Sequence, residues 1–502
     1  MVSAVLFITF FVLLVLNVPI SICLGLSSAA AILYSGTSLT IVATNIYSGI
    51  SKFLLLAIPF FVLSGNIMAK AGISTRLIRF VDTCVGHRKG GIANVCIIVA
   101  CFFGAISGSG PATVAALGAV LIPAMVERGG FSAPFSTALM ATASSIAIVI
   151  PPSIAFVVYA SITGVSIGDM FMAGIVPGIL MGLALIVVVM LEVRKNHVVP
   201  SNVQKASAKE RLDAFKDAFW GFLMPVIILG GIYGGIFTPT EAAAVSVVYG
   251  LFVGMVIYKE VKLKDLWDIL IDSAKTTGGI MLIVACASLF SFVCTRFGIS
   301  AAASQLLAKV AGNQFTFLLI CNVIFLIAGC FIDANSAMYI FIPIMLPVCK
   351  QLGYNVIAFG IMATVNLAIG QVTPPVGVNL FVAIGVKLKN GLQVTLQQIS
   401  RAVVPMVAAC IVVLLMITYI PGISTFLPAA LGSAAAVENG TTTGGDSGTT
   451  ATDNDDFNTI EDYSDLDWPE MTWNFTCSTT ETSTWAQAGR KFGELMEQAT
   501  GG

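Results

Sequence analysis

Long apolar runs separated by short polar segments dominate residues 1–430 of the chain. A helix that spans a bilayer needs about 20 mostly apolar residues, and several uninterrupted runs reach roughly that length. They are residues 3–35 (expected to bend near Pro19), 53–70, 171–193, 219–237, 240–258, 276–296 and 403–427. The pattern predicts an all-α polytopic membrane protein.

Four further apolar segments are interrupted by small polar residues or by proline pairs. The segments and their interruptions are 92–126 (SGSGP, 107–111), 134–160 (PP, 151–152), 315–349 (DANS, 333–336) and 357–387 (TPP, 373–375). Unpaired backbone groups are very costly in hydrocarbon, so a chain break at membrane depth must be buried in protein or line a wet cavity. We therefore expect two re-entrant helical hairpins, in the first and third segments, and two broken transmembrane helices, in the second and fourth.

These four segments also form an internal repeat. The triplet MAT occurs at 140–142 and again at 362–364, and a proline pair follows ten or eleven residues later in both places. Shared prolines before and after the triplet are Pro123 and Pro347, and Pro177 and Pro405. About 85 residues recur at an offset of 222–228. We place the first repeat at about 92–193 and the second at about 315–427, with scaffold helices elsewhere in residues 1–432.

The distribution of basic residues predicts the orientation of the repeats. The loop from Arg194 to Lys216 carries six basic residues, so we expect it in the cytoplasm. Five predicted crossings separate the two hairpins. Because five is odd, the two copies should face opposite sides of the membrane, which is the inverted-repeat architecture of many secondary transporters. Five predicted crossings also follow the cytoplasmic loop, at 219–237, 240–258, 276–296, 357–387 and 403–427, so we expect the C-terminus in the periplasm.

Breaks at membrane depth are suited to binding ions and substrates. Exposed carbonyls and hydroxyls are oxygen ligands for a small cation, and the N-termini of half-helices present N–H groups to an anion. Ser107 and Ser109 are such ligands in the first hairpin. Asp333 is the one acidic residue within the apolar part of a predicted hairpin or span, and we interpret it as a cation ligand beside Asn335 and Ser336. The alternatives are kinks or close helix packing at the breaks, and a purely structural role for Asp333.

Asn366 and Asn379 flank the second proline pair and are either substrate ligands or helix-packing amides. No GxxxxGK[ST] phosphate loop occurs. The two histidines, His87 and His197, lie in polar stretches, and the sequence shows no metal-ligand cluster. We therefore expect neither an enzyme nor a nucleic-acid-binding protein, and no organic cofactor.

Composition supports the membrane class and divides the chain into two parts. Only 10% of residues are charged and mean hydropathy is +0.95, whereas soluble domains carry about 25% charged residues. Residues 1–432 hold 23 basic and 13 acidic residues, and the remainder holds 2 and 13. We interpret 433–470, rich in Gly, Thr and Asp, as a flexible linker.

Several motifs resemble one transporter family. Residues 104–125 and 151–178, with IDAN at 332–335 and TPPVGVNLFV at 373–382, resemble the large membrane (M, DctM-like) subunit of tripartite ATP-independent periplasmic (TRAP) transporters. The resemblance covers nearly all of residues 1–430. It implies an elevator-type carrier of the bacterial inner membrane, driven by a sodium gradient, that takes up C4-dicarboxylates, sialic acid or other sugar acids. It also implies a small four-helix membrane subunit (Q), expected as a separate chain, and a periplasmic substrate-binding subunit (P).

Carried over by motif, the resemblance implies two sodium sites and a substrate site between them. The candidate sodium ligands are Ser107, Ser109, Ile150 and Pro151 for one site, and Gly329, Asp333, Asn335, Gly370 and Thr373 for the other. The candidate substrate residues are Ser109, Pro111, Ser153, Asn335, Ser336, Asn366, Pro375 and Asn379. Sodium is the expected coupling ion.

The C-terminal stretch carries a second resemblance. Residues 471–478 alternate as a strand does, and 484–488 open a helix. Residues 471–502 resemble the start of a TRAP substrate-binding subunit, which implies a fused P subunit of which only the first elements are present. The alternative is an arbitrary acidic tail.

The mechanistic hypothesis is that sodium orders both hairpin tips and that a substrate carboxylate then binds between them. A domain of the hairpins with 134–160 and 357–387 would slide against the remaining helices. Two alternatives stay open: a binding-protein-independent carrier of the same superfamily, and a membrane scaffold that transports nothing.

Overall fold

The computed structural model describes residues 1–196, 205–386 and 394–432. Regular structure in these ranges is helical throughout. Eight of the described helical segments are long and apolar enough to cross a membrane: Phe53–Lys70, Gly110–Glu127, Ile167–Lys195, Ala208–Tyr233, Pro239–Ile257, Leu263–Arg296, Gln314–Phe331 and Leu396–Tyr419. The predicted all-α polytopic membrane fold is confirmed. The predicted linker at 433–470, the stretch 471–502 and His197 lie outside the described residues.

The helices are numbered in chain order: α1 (Val2–Val15), α2 (Ile20–Tyr34), α3 (Thr40–Ile50), α4 (Ala57–Lys70), α5 (Ile73–Val85), α6 (Gly91–Ser107), α7 (Gly110–Glu127), α8 (Ala133–Ser145), α9 (Ile154–Thr163), α10 (Ile167–Lys195), α11 (Ala208–Tyr233), α12 (Pro239–Phe252), α13 (Leu263–Arg296), α14 (Ile299–Ala311), α15 (Gln314–Phe331), α16 (Ala334–Gln351), α17 (Val356–Gly370), α18 (Val378–Ile384), α19 (Leu396–Tyr419) and α20 (Gly422–Ala430). Short 3-10 turns precede α4 and follow α8, and a π-helical turn follows α12.

Two predicted spans differ from the observed helices. Residues 3–35 were expected to form one bent helix, but α1 and α2 pack side by side as a hairpin. The chain reverses because Asn17 adopts a left-handed conformation (φ 60°) and Pro19 lacks the N–H that would continue the helix. The predicted span 403–427 is likewise divided, since α19 ends at Tyr419, before Pro421.

Both re-entrant hairpins and both broken helices are present. The helix pairs α6–α7 and α15–α16 are the hairpins, and α8–α9 and α17–α18 are the broken helices. The repeat extends further upstream than the sequence analysis placed it. The triplet GIS at 72–74 and at 298–300 opens α5 and α14, and each glycine caps its helix in the left-handed conformation (φ 68° and 70°).

Contacts between the broken helices show that the repeats are inverted. The Tyr159 hydroxyl in α9 donates to the Val356 carbonyl at the start of α17, at 2.6 Å. At the other end, the Asn379 amide in α18 donates to the Ala141 carbonyl in α8, at 3.4 Å. The earlier residue of one broken helix thus pairs with the later residue of the other. The two broken helices therefore run in opposite directions, as the odd number of crossings predicts.

The helices divide into a core and a scaffold. Helix α10 packs against the second broken helix through α17, and α19 packs against both broken helices through α8 and α17. They therefore belong with the hairpins in a core of α6–α10 and α15–α20, although our mechanistic hypothesis assigned residues 171–193 and 403–427 to the scaffold. Helices α1–α4 and α11–α13 form the scaffold, and α5 and α14 lie between scaffold and core.

Ion pairs join α5 both to the scaffold and to the first hairpin. Arg76 pairs with Glu260 at 2.6 Å and lies over the Tyr258 ring, 3.8 Å from its centroid. Further pairs join Arg79 to Asp217 of α11 and Asp82 to Arg128 at the base of the first hairpin, both at 2.9 Å. The amphipathic α5 thus links the scaffold to the core.

Candidate ion and substrate site

The tip of the first hairpin is a glycine turn closed by hydroxyl groups. Helix α6 ends at Ser107, Gly108 is left-handed (φ 60°), and Ser109 is extended before α7 begins. The hydroxyls of Ser107 and Thr113 hydrogen-bond at 2.8 Å, and Thr113 also donates to the Ser109 carbonyl at 2.8 Å. Pro111, in the first turn of α7, is partly buried. Thr113 was not among the predicted residues, although a Thr four residues after Ser109 can reach back to its carbonyl.

This tip lies against the first broken helix, as the predicted first sodium site requires. A Cβ placed on Gly108 would lie 2.7 Å from the Pro152 carbonyl oxygen. The buried Ser153 hydroxyl donates to the Ile148 carbonyl and accepts from the Phe156 amide, which caps α9. The neighbouring break residues Ile150 and Pro151 are at least partly buried. Hydroxyl and carbonyl oxygens thus surround the junction of tip and break.

The same tip also contacts the second broken helix. A Cβ on Gly110 would lie 2.7 Å from the amide nitrogen of Asn379 and 3.1 Å from the side-chain oxygen of Gln371. Both side chains are buried, and the side-chain oxygens of both have no hydrogen-bond partner. These free acceptors lie beside the N-terminus of α7. The helix dipole there favours an anion, whereas the two amide oxygens themselves suit a cation or a hydroxyl donor. Gln371 was missed because nothing in its local sequence indicates that it meets a hairpin 260 residues earlier.

At the tip of the second hairpin, Asp333 caps the N-terminus of α16. Its carboxylate accepts from the backbone N–H groups of Asn335 (3.0 Å) and Ser336 (3.1 Å) and from the Ser336 hydroxyl. The Asn335 side-chain oxygen is buried and has no partner. Asp333 therefore has the structural role that the sequence left open, and its role as a cation ligand stays a prediction.

Glycines bring this second hairpin into backbone contact with the second broken helix. A Cβ on Gly370 would lie 2.5 Å from the Cα and carbonyl carbon of Gly329 and 3.0 Å from its oxygen. The Gly377 amide donates to the Cys330 carbonyl at 3.4 Å, and the Thr373 hydroxyl donates to the Ile369 carbonyl at 2.8 Å. The predicted ligands Gly329, Gly370 and Thr373 therefore lie close together. In the first repeat Gly104 meets Ala147 in the same manner.

The two remaining predicted substrate residues are Asn366 and Pro375. Asn366 is about one turn before the end of α17 and donates to the side chain of Asn322 in α15. Pro375 is exposed at the second break.

The donor set suits a hard cation better than a transition metal. The site presents hydroxyl, amide and carbonyl oxygens, with Asp333 as a carboxylate. Among the described residues no group of three or more His, Cys, Asp or Glu side chains is placed to hold a metal ion. Small alkali and alkaline-earth cations prefer oxygen ligands of this kind.

A family model described as the DctM component of tripartite ATP-independent periplasmic transporters matches residues 7–423. The chain belongs to this DctM family. The family consists of transport permeases, not enzymes, and TRAP large permeases work with a small membrane subunit and a periplasmic binding protein.

Relatives of this DctM-family chain include permeases named for different anions. It is 42% identical over 423 residues to an isethionate TRAP permease, DctMQ, of Oleidesulfovibrio alaskensis, a match that covers 84% of this chain and 66% of the relative. It is 42% identical to the C4-dicarboxylate large permease DctM of Pseudomonas aeruginosa, over 82% of this chain and 94% of the relative. It is 34% identical to the sialic acid large permease SiaM of Vibrio cholerae, over 80% of this chain and 92% of the relative.

A solved structure shares the fold. The YdaH transporter of Alcanivorax borkumensis superimposes with a TM-score of 0.55 at 14% identity, over 78% of this chain and 88% of that one. At that identity the likeness shows the architecture alone.

Proposed function

We propose that this chain is the large permease of a sodium-coupled carrier that takes up a small organic anion delivered by a periplasmic binding protein. The observation that carries the proposal is the position of the first hairpin tip. It touches both chain breaks at once, through Gly108 at Pro152 and through Gly110 at Gln371 and Asn379. Such a junction of breaks in an inverted repeat is where secondary transporters bind substrate and coupling ions.

For sodium we propose two sites with oxygen ligands. The first comprises Ser107 and Ser109 with the backbone at Ile150 and Pro151. The second comprises Gly329, Gly370 and Thr373 with Asn335 and Asp333. The unpartnered Asn335 oxygen supports the second site, because a buried amide oxygen without a donor is costly unless a ligand satisfies it.

For the substrate we propose an anionic group at the N-terminus of α7, within reach of the amides of Gln371 and Asn379. The relatives favour a small anion. Those named for isethionate and for C4-dicarboxylates are each 42% identical to this chain, against 34% for the one named for sialic acid. We therefore propose a C4-dicarboxylate or a short sulfonate ahead of sialic acid.

For the transport cycle we propose an elevator motion in the bacterial inner membrane. The core of α6–α10 and α15–α20 would move against the scaffold, with α5 and α14 as the connecting arms. In this arrangement the loop from Arg194 to Lys216 is cytoplasmic and the C-terminus is periplasmic.

The test is uptake of labelled succinate, isethionate and sialic acid by proteoliposomes that contain the chain and its small membrane partner. Each substrate is offered with its binding protein under an inward sodium gradient, and again under a matched potassium gradient. Uptake of one substrate that needs both sodium and the binding protein supports the proposal. Equal uptake under both gradients contradicts sodium coupling, and uptake without binding protein supports the binding-protein-independent alternative.

A further inference from the structure

Three helices of the second repeat share a buried polar cluster that lies outside the proposed sites. The Asn366 amide in α17 donates to the side-chain oxygen of Asn322 in α15. The Asn322 amide in turn donates to the Thr418 hydroxyl in α19, at 3.3 Å. All three side chains are buried, at 4% exposure or less. The cluster therefore joins the second hairpin, the second broken helix and α19.

Stability does not account for this cluster. The side-chain oxygen of Asn366 is buried and has no partner, so the network is only partly satisfied. A partly satisfied polar network in an apolar interface is less favourable than well-packed apolar side chains. The two asparagines should therefore weaken this helix interface compared with a leucine pair.

The first repeat shows that the fold can be built without such a pair. Ile97, buried at 1% exposure, lies seven residues before Gly104, as Asn322 lies seven before Gly329. By the alignment of the two MAT triplets, Ser144 stands where Asn366 does, and its hydroxyl donates to the Met140 carbonyl of its own helix at 2.8 Å. Counted back from the Gly104–Ala147 contact, the matching residue is the buried Ala143. The hairpin and broken helix of that repeat thus pack with an isoleucine and a small residue, either alanine or an internally bonded serine, at these positions.

The position of the pair suggests what it does. At 1.5 Å per residue, Asn322 lies about 10 Å before Gly329 along α15, and Asn366 lies about 6 Å before Gly370 along α17. A hydrogen bond between the two helices at this level fixes how far one can slide along the other. That sliding would displace the backbone contact of Gly329 with Gly370.

We propose that Asn322 and Asn366 are positioning residues for the second cation site, which hold the second hairpin in register with α17. The inference rests on the proposed sodium coupling. Thr418 extends the same restraint to α19, where the Tyr354 hydroxyl also donates to its carbonyl at 2.8 Å. Neither asparagine contacts the ion in this arrangement.

The test is the double variant Asn322→Leu/Asn366→Leu, purified with the small membrane subunit. We expect the sodium concentration for half-maximal uptake to rise about tenfold, equivalent to about 1.4 kcal/mol. The maximal rate at saturating sodium should stay within about twofold, and the sodium-free melting temperature should be equal or higher. Sodium-induced thermal stabilisation, measured without substrate, should shift to higher sodium by the same factor. Ser144→Ala, at the equivalent position of the first repeat, should change none of these.

An unchanged sodium concentration for half-maximal uptake in the double variant would overturn the inference. A fall in its melting temperature large enough to explain any reduced uptake by unfolding would overturn it as well. If the double variant does not fold, Thr418→Val removes only the outer hydroxyl at equal volume. A rise of about threefold in sodium half-saturation supports the inference, and no rise overturns it. Sodium-independent uptake by the unaltered protein would overturn the proposed function as well. Sodium-dependent uptake with an unshifted double variant would overturn this inference alone.

Discussion

Gly370→Ala should disable the second cation site by separating two backbones. A Cβ on Gly370 would lie 2.5 Å from the Cα and carbonyl carbon of Gly329, whereas ordinary contact begins at 3.4 Å. The second hairpin must therefore retreat by about 0.9 Å, and backbone cannot rotate away as a side chain can. Overpacking of this kind costs typically 1–3 kcal/mol. If that cost falls on the sodium-bound state, sodium affinity drops roughly 5- to 150-fold.

The assay is the sodium dependence of uptake in proteoliposomes, with thermal stabilisation by sodium as an independent readout. Gly278→Ala is the matched control, because it lies inside α13 with no atom within 4 Å of an added Cβ. That control should transport normally and be slightly stabilised, since alanine favours a helix over glycine by about 1 kcal/mol. Normal sodium affinity in Gly370→Ala would refute the assignment of the Gly329–Gly370 contact to the cation site.

Three further predictions test other parts of the account. Asp333→Asn keeps a capping side chain and removes the charge, so sodium half-saturation should rise at an unchanged melting temperature; no rise would leave Asp333 with the capping role alone. Gln371→Glu should suppress uptake more than Gln371→Ala, because it places a negative charge where the anion is proposed to bind; equal effects in the uptake assay would argue against a substrate contact. Arg76→Lys should reduce the free energy of unfolding by about 1 kcal/mol and so lower the melting temperature, since lysine loses the stacking on Tyr258; an unchanged melting temperature would mean that the stacking contributes nothing.

Features with a local cause could be predicted from the sequence. The break at Ser107–Pro111 follows from two glycines and a proline within five residues, and the proline pairs at 151 and 374 interrupt helices for the same steric reason. Asp333 caps a helix because its carboxylate can reach the backbone N–H groups two and three residues ahead, those of Asn335 and Ser336. The inverted arrangement could be predicted by counting the membrane crossings between the hairpins, because it depends only on whether that number is odd or even.

Features that depend on distant contacts could not be predicted. The sequence signals a bend near Pro19, but it does not show that the chain reverses there and that α2 packs back on α1. Gln371 and Asn322 are single amides in apolar surroundings, and their importance comes from Gly110 and Asn366, which reach them only in the folded chain. The matching arms α5 and α14 share only the triplet GIS, which is too short to detect without the structure.

The measurement that tests sodium coupling most directly is the entry of radioactive sodium into proteoliposomes, with and without substrate-loaded binding protein. The account predicts sodium entry that requires the loaded binding protein and keeps a fixed ratio to substrate entry as the sodium concentration varies. Substrate entry without accompanying sodium, or sodium entry unaffected by substrate, would contradict it.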